Sequence, residues 1–266
     1  MLTFPNINPI ALEIGFLKVY WYGLAYMVGI FTAWKLGARL LRNYLNGING
    51  KTFEDSIFWL IIGIVVGGRL GYVIFYSPHL FWTDPIEIFE TWRGGMSFHG
   101  GALGVVVVLA IYAKRTGNSF LSLLDIIACV APVGLLFGRF ANFINGEHWG
   151  RPTTVAWAMI FPHADNLYRH PSQLYEAATE GALLLAVLLI LWTKTNLRMK
   201  PGRIAGVFGI GYALARTFCE LYREPDAIIA GSLTIGQALS IPLIGLGWFL
   251  LRRPVESPNG HQPSPF

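Results

Sequence analysis

The sequence predicts an all-α integral membrane protein with about seven transmembrane helices. Of its 266 residues, 54% are hydrophobic and only 13% are charged, a composition too apolar for a soluble domain and typical of a polytopic membrane protein. The apolar residues gather in segments close to the length of about 20 helical residues that crosses a bilayer. Seven such segments follow one another, at 19–38, 56–76, 98–113, 121–143, 174–193, 204–222 and 233–251.

The positive charges predict how these segments are oriented. Lys and Arg are concentrated after the first, third, fifth and seventh segments, whereas nearby Asp and Glu mostly balance those in the other loops. Because cytoplasmic loops carry an excess of Lys and Arg, we expect the N-terminus outside and the C-terminus in the cytoplasm. The polar motifs described below then fall on the outer side. The residues that set this orientation are Lys35, Arg39, Arg42, Lys51, Lys114, Arg115, Lys194, Arg198, Lys200, Arg203, Arg252 and Arg253.

The remaining features predict one domain. Residues 1–253 form a single transmembrane domain in this prediction, and residues 254–266, which lack an apolar period, form a disordered cytoplasmic tail. No charged region precedes an apolar core at the N-terminus, so no cleaved signal peptide is expected. Cys129 and Cys219 lie in apolar segments outside any metal-binding spacing, which predicts core packing and no metal or other cofactor. The pattern of basic residues gives no indication of nucleic-acid binding.

A polar segment continues from the fourth apolar segment. Residues 138–150 read Gly-Arg-Phe-Ala-Asn-Phe-Ile-Asn-Gly-Glu-His-Trp-Gly and place Arg139, Asn142, Asn145 and Glu147 at the edge of the hydrocarbon region. Such groups are costly there unless a partner or a substrate satisfies them. Arg139 and Asn142 share a helix face, and the glycine after Asn145 can end the helix. One interpretation is a helix-end cap with an Arg–Glu pair; the density of polar groups favours a site at which arginine binds a phosphate.

A second motif is a glycine-rich turn that contains His99. An isolated histidine is usually an ordinary hydrogen-bonding residue, but an imidazole at a membrane turn titrates near neutral pH and can also act as a general base. The glycines around His99, at 94, 95, 100 and 101, permit close approach of a ligand or re-entry of the chain into the membrane. We therefore expect the first turns of the third segment to be re-entrant backbone.

A third motif lies on the sixth segment, where Tyr212, Arg216, Glu220 and Arg223 form one helical stripe. One interpretation is an Arg216–Glu220 pair that only fixes packing. The favoured interpretation is an anion shared with Arg139, because two guanidiniums facing an apolar cavity would repel each other.

The other polar residues of the apolar segments are assigned structural roles. Arg69 with Tyr72 is either a third cationic contact or a pair that locks a helix, and the structural role is favoured. Asp125, Glu176 and Glu180 are expected to serve in packing or as helix caps.

The turn at 170–173 is predicted to start the fifth helix. Pro171 would lie near its first position, and Ser172 or Gln173 would satisfy free backbone amides. Tyr22, at the start of the first segment, fits an aromatic belt at the membrane surface.

Residues 138–150 resemble the signature segment of the prolipoprotein diacylglyceryl transferases, Gly-Arg-x-Gly/Ala-Asn-Phe-x-Asn-x-Glu-x-x-Gly, at every fixed position. A pattern of this length is far more specific than a short glycine motif. Further blocks resemble the family in the same order and spacing, and together they cover most of the chain outside its C-terminal tail. They lie at 21–24 (Trp-Tyr-Gly-Leu), 67–72 (Gly-Gly-Arg-Leu-Gly-Tyr), 94–101 (Gly-Gly-Met-Ser-Phe-His-Gly-Gly), 170–176 (His-Pro-Ser-Gln-Leu-Tyr-Glu) and 212–226.

The resemblance implies a reaction. It is the transfer of the sn-1,2-diacylglyceryl group of phosphatidylglycerol to the lipobox cysteine thiol of a prolipoprotein, which forms a thioether and releases glycerol phosphate. The implied partners are phosphatidylglycerol, the prolipoprotein signal peptide and the lipid bilayer. The implied location is the bacterial inner membrane, with the active site towards its outer face and lateral openings between helices for the two amphiphilic substrates.

The motif residues can then be given roles in that reaction. A thiol must become a thiolate to attack carbon, and His99 is the candidate base. Arg139 and Arg216 are expected to stabilise the leaving phosphate, with Glu147 and Glu220 holding the two arginines in position. The expected contacts to phosphatidylglycerol are Arg139, Asn142, Asn145, Tyr22, Tyr212 and Arg69.

Three alternatives come from other classes of protein. An anion or lipid transporter would also use intramembrane Arg and His, but transporters often contain paired repeats, and the sequence shows none. An enzyme of the phosphatidyl-alcohol transfer type would require a paired-aspartate metal motif that is absent. An assembly scaffold with structural polar networks is the third alternative.

Overall fold

A computed structural model describes residues 2–5, 7–15, 17–44, 47–225, 228–231 and 233–254. The predicted tail therefore lies outside the described residues, apart from Pro254. The described part is mainly helical, as predicted, with two short antiparallel hairpins as the exceptions to an all-α fold. The helices are α1 (Trp21–Asn43), α2 (Gly50–Tyr76), α3 (Leu80–Thr83), α4 (Phe98–Thr116), α5 (Phe120–Ile144), α6 (Ser172–Glu176), α7 (Leu184–Lys194), α8 (Arg203–Glu220) and α9 (Ile235–Arg252), and the hairpins are β1 (Ile10–Ile14) with β2 (Leu17–Tyr20) and β3 (Ile228–Ala230) with β4 (Leu233–Thr234).

Among the described residues, five segments are long and apolar enough to cross a membrane. They are α1, α2, α5, α9 and the continuous stretch Ser172–Lys194, which contains α6 and α7. The third and sixth predicted crossing segments correspond to α4 and α8, which are not among the five. A multi-pass membrane protein is thus confirmed, while the number of seven and the orientation stay predictions.

The chain divides into two compact units, which are described separately below. The middle unit comprises Trp34–Ile127, and the flanking unit comprises Met1–Ala33 and Ala128–Phe266.

In the middle unit, α2 and α4 approach each other through glycines. A Cβ added to Gly67 would lie 2.4 Å from the carbonyl oxygen of Gly100, and one added to Gly104 would lie 2.1 Å from that of Gly63. Neither distance leaves room for a side chain, so small residues let the two backbones meet, as is common between membrane helices.

This packing corrects the expectation of re-entrant backbone at the start of the third segment. α4 is a regular helix from its first residue, and Ser97 caps it by accepting a hydrogen bond at Oγ from the backbone amide of Gly100 at 3.2 Å. The glycines that suggested an irregular turn serve close packing against α2 instead.

In the flanking unit, a π-helical segment at Ala177–Leu183 joins α6 to α7. Gly181 in this segment packs against α5, since an added Cβ would lie 2.8 Å from Cβ of Leu136. α8 and α9 also make a close contact, where a Cβ on Gly206 would lie 2.8 Å from the carbonyl oxygen of Gly247. Glu176 directly precedes the π-helical segment, and Glu180 lies within it.

Candidate active site

The end of α5 gathers three of the predicted site residues. Gly146 adopts a positive φ of 66° just beyond the helix, as expected of a glycine that ends it. The chain turns back so that Oε1 of Glu147 accepts hydrogen bonds from Nδ2 of Asn142 at 2.9 Å and from Nδ2 of Asn145 at 3.3 Å. One carboxylate oxygen therefore fixes both amides.

Arg139, one turn earlier on α5, has different partners from those expected. Its Nη2 donates to Oε2 of Glu180 at 3.1 Å, and its Nη1 lies 3.4 Å from Oε2 of Glu176. Among the described residues, Glu147 makes no ion pair with Arg139, which corrects the expectation that Glu147 holds this arginine. The physical reason is that Glu147 lies beyond the helix end, where the two asparagine amides bind it. The carboxylates beside Arg139 come instead from the end of α6 and from the π-helical segment.

Arg216 makes the pair that the sequence spacing predicts and one that it does not. Its Nη2 lies 2.5 Å from Oε1 of Glu220, four residues along α8. Its Nη1 lies 2.6 Å from Oε1 of Glu176, and Nη1 of Arg223 lies 3.0 Å from the same oxygen. Glu176 thus contacts three arginines, on α5, on α8 and just after α8.

Glu176 and Glu180, for which packing or cap roles are expected, pack between segments as ion-paired side chains. Both side chains are fully buried and ion-paired in the first half of the Ser172–Lys194 stretch. The signal in the sequence was their charge. Two carboxylates within an apolar segment, in a chain that also places arginines in apolar segments, indicate pairing between the segments.

We call these six residues the buried charge cluster: Arg139, Arg216, Arg223, Glu176, Glu180 and Glu220. The arginines therefore do not face an apolar cavity, because three carboxylates balance three guanidiniums. The exposed fractions of the side chains are 17% for Arg139, 12% for Arg216 and 5% for Arg223. Arg139 thus has the most exposed side chain of the three arginines.

The start of α6 fastens the loop that carries Glu147. Ser172 Oγ donates to the carbonyl oxygen of His148 at 2.9 Å, and Gln173 Nε2 donates to that of Glu147 at 2.6 Å. Pro171 occupies the N-cap position, without a side-chain cap. Ser172 and Gln173 therefore bind carbonyls of the polar segment instead of satisfying helix amides as predicted.

His148 completes the connection between this loop and the charge cluster. It has a positive φ of 58°, which is uncommon for a residue other than glycine, and its Nδ1 lies 3.2 Å from Nη2 of Arg223. Since arginine only donates, Nδ1 is the acceptor in this contact.

A second ion-pair group ties the segment between α5 and α6 to the chain after α8. Arg169 lies 2.7 Å from Asp165 and 2.8 Å from Glu224, and its Nη1 donates to the carbonyl oxygen of Gly150 at 2.9 Å. The hydrogen bond from Arg169 lowers the pKa of Asp165 from 3.8 to about 2. His170 directly follows Arg169, and burial lowers the pKa of its imidazole.

The two predicted tyrosines have limited polar contacts. The hydroxyl of Tyr22 lies 3.2 Å from that of Tyr26, one turn along α1, and the side chain is partly exposed. The ring of Tyr212 stacks on Phe208, with 6.0 Å between ring centroids. Both belong to the flanking unit, as does the buried charge cluster.

The middle unit contains the other two predicted residues, His99 and Arg69. His99 is the second residue of α4 and is exposed. Arg69 is only 4% exposed, and its guanidinium lies 5.5 Å from the ring of Tyr72. The carbonyl oxygens that accept its hydrogen bonds are those of Glu87, Ile88, Gly94 and Gly95. These contacts support the structural interpretation of Arg69, which fastens the segment before α4 to α2.

Apolar helices around a buried charge cluster define the class: a multi-pass membrane protein with ion-paired side chains buried among its helices. The sequence profile of the family described as prolipoprotein diacylglyceryl transferase matches residues 9–253, so the chain belongs to this family of membrane enzymes.

Relatives from three bacteria carry the name phosphatidylglycerol–prolipoprotein diacylglyceryl transferase. The one from Allorhizobium ampelinum is 46% identical over 99% of this chain and 96% of its own length. Those from Gluconobacter oxydans and Rickettsia bellii are 48% and 49% identical, over 96% and 94% of this chain and 97% and 96% of their own lengths. The comparisons do not support a transporter.

Proposed function

We propose that this chain transfers the sn-1,2-diacylglyceryl group of phosphatidylglycerol to the lipobox cysteine of a prolipoprotein. The observation that carries the proposal is similarity over nearly the whole chain to enzymes named for these two substrates. The buried charge cluster supports it, because an arginine beside other charged groups in apolar surroundings suits a lipid phosphate.

The lipid phosphate binds at Arg139, whose side chain is the most exposed of the three arginines of the cluster. Arg216 lies behind it and shares Glu176 with it, so both positive charges act on the bound phosphate. The amides of Asn142 and Asn145 are held by Glu147 and supply donors for phosphate or glycerol oxygens. Tyr22 and Tyr212 provide further polar contacts to the headgroup.

In the proposed reaction, a carbon–oxygen bond of the lipid is replaced by a carbon–sulfur bond. The cysteine thiol loses its proton, the sulfur bonds to the glyceryl methylene carbon, and the bond between that carbon and the phosphate oxygen breaks. Glycerol phosphate leaves with the bonding electrons, and the guanidiniums of Arg139 and Arg216 stabilise its negative charge. The imidazole of His99 takes the thiol proton, because only the thiolate is a strong nucleophile.

The site works at the outer face of the bacterial inner membrane. Seven crossing segments with the N-terminus outside would place residues 138–150 and the His99 turn on that side. The signal peptide and the lipid both arrive within the bilayer, so they enter laterally between helices.

The test is a transfer assay with purified protein. Labelled phosphatidylglycerol and a peptide with a lipobox cysteine are mixed with the enzyme, and the peptide mass is measured. The peptide should gain one diacylglyceryl group, and a peptide with serine in place of that cysteine should gain none. If the cysteine peptide gains no mass, the proposed activity is wrong.

A further inference from the structure

Glu176 holds a position that the proposed mechanism does not use. Its Oε1 lies 2.6 Å from Nη1 of Arg216 and 3.0 Å from Nη1 of Arg223, and its Oε2 lies 3.4 Å from Nη1 of Arg139. The side chain is fully buried. One carboxylate therefore fixes the relative positions of both arginines assigned to the phosphate.

The local backbone explains how Glu176 reaches three arginines. It ends α6 and directly precedes the π-helical segment Ala177–Leu183, a widened turn of a kind that often occurs at functional sites. Glu180 lies within that segment and pairs with Arg139 at 3.1 Å and with Arg216 at 3.9 Å. The two carboxylates thus share the same two guanidiniums.

The charge of the cluster has a consequence for the two phosphate compounds of the reaction. With three carboxylates against three guanidiniums, the cluster is formally neutral. Phosphatidylglycerol is a phosphodiester with one negative charge. The released glycerol phosphate is a monoester, which carries about 1.5 to 2 negative charges at neutral pH. A site with a net positive charge would retain the product more strongly than the substrate.

We propose that Glu176 is a positioning residue that keeps the phosphate site neutral, so that the site binds the diester and releases the monoester. The inference rests on the proposed function. Coulomb energy is proportional to charge, so one added positive charge contributes about twice the binding free energy to a dianion that it contributes to a monoanion. The fold-change in Kd for the dianion is therefore about the square of the fold-change for the monoanion. Removing the charge of Glu176 should therefore alter the two affinities unequally.

The experiment measures binding, which does not depend on turnover. Purified wild-type protein, Glu176→Gln and Glu176→Asp are titrated with glycerol phosphate and, separately, with a short-chain phosphatidylglycerol, and Kd is obtained by calorimetry. If the diester binds about threefold more tightly to Glu176→Gln, the monoester should bind about tenfold more tightly. Glu176→Asp, which keeps the charge, should retain the wild-type ratio of the two Kd values.

Glu180→Gln is the second variant, because Glu176→Gln removes three contacts and could fail to fold. Glu180→Gln removes the same charge with fewer contacts and should shift the ratio in the same direction. If both affinities fall or rise by the same factor in the folded variants, Glu176 has only a structural role and the inference is overturned. The proposed function is tested separately by the transfer assay, in which it fails if the wild-type protein transfers no diacylglyceryl group.

Discussion

Nη2 of Arg139 donates to Oε2 of Glu180 at 3.1 Å, which joins the end of α5 to the π-helical segment 41 residues later in the chain. The pair is nearly enclosed, with Glu180 fully buried and the Arg139 side chain 17% exposed. Breaking one side of such a pair leaves the other charge buried without compensation, which usually costs more than replacing both partners. Stability and activity can therefore be separated at this pair.

We predict that Arg139→Ala lowers transfer by about 100-fold or more, because it removes the guanidinium proposed to bind the phosphate. The same change should destabilise the protein by roughly 3–5 kcal/mol, because Glu180 loses its nearest cation. Adding Glu180→Gln should restore most of the stability and none of the activity. Thermal unfolding in detergent and the transfer assay measure the two effects. Near-normal turnover in Arg139→Ala would remove the phosphate role of this residue.

The sequence predicted the helices well because apolar runs mark them directly. The fourth predicted segment, 121–143, differs from α5 by one residue at each end, and the seventh, 233–251, differs from α9 by at most two residues. It predicted the Arg216–Glu220 pair for the same local reason, since residues four apart face each other on a helix.

The partners of Arg139 could not be found in this way. Glu176 and Glu180 lie on another segment, and which segments adjoin depends on tertiary packing that a single sequence does not give. The sequence also predicted re-entrant backbone in the first turns of the third segment, because it shows the glycines but not the close approach of α2 and α4 that requires them.

The second prediction concerns His99 as the base. Only a neutral imidazole accepts a proton, so a base role for His99 predicts that kcat/KM of the wild-type enzyme rises with pH and then levels off. His99→Gln should lower kcat/KM by about 100-fold and remove the rising part of the plot of kcat/KM against pH. His163→Gln, a change at an exposed histidine outside the proposed site, serves as the control. If kcat/KM of His99→Gln still rises with pH as in the wild-type enzyme, another group takes the thiol proton.

The third prediction concerns the contact between α2 and α4. Gly67→Ala would bring a Cβ to 2.4 Å from the carbonyl oxygen of Gly100, so the helices must separate, at a cost of about 1–3 kcal/mol for overpacking. Gly101→Ala is the matched control, because its Cβ would lie 3.5 Å from the nearest atom. The melting temperature should fall for Gly67→Ala and stay near the wild-type value for Gly101→Ala. Equal melting temperatures would contradict the packing.

The fourth prediction is a pH dependence at Asp165. Its pKa is lowered to about 2 from 3.8, so the folded state favours the ionised carboxylate. The stabilising contribution is therefore fully present above pH 3.8 and is lost as the pH falls towards 2. Asp165→Asn should increase protease cleavage between α5 and α6 at pH 6, and its difference from wild type should shrink as the pH approaches 2. A difference that grows on acidification would show that another group dominates.

The last prediction decides between the two interpretations of Arg69. Arg69→Lys keeps a positive charge, but a single ammonium group cannot serve the carbonyl oxygens of Glu87, Ile88, Gly94 and Gly95 together. If Arg69 fastens the segment before α4, cleavage of residues 87–97 by protease should increase and kcat should fall by about tenfold. KM for phosphatidylglycerol should then change little, whereas a rise in KM with unchanged kcat would identify a lipid contact. Arg39→Lys, at an exposed position of α1, should change neither constant and provides the control.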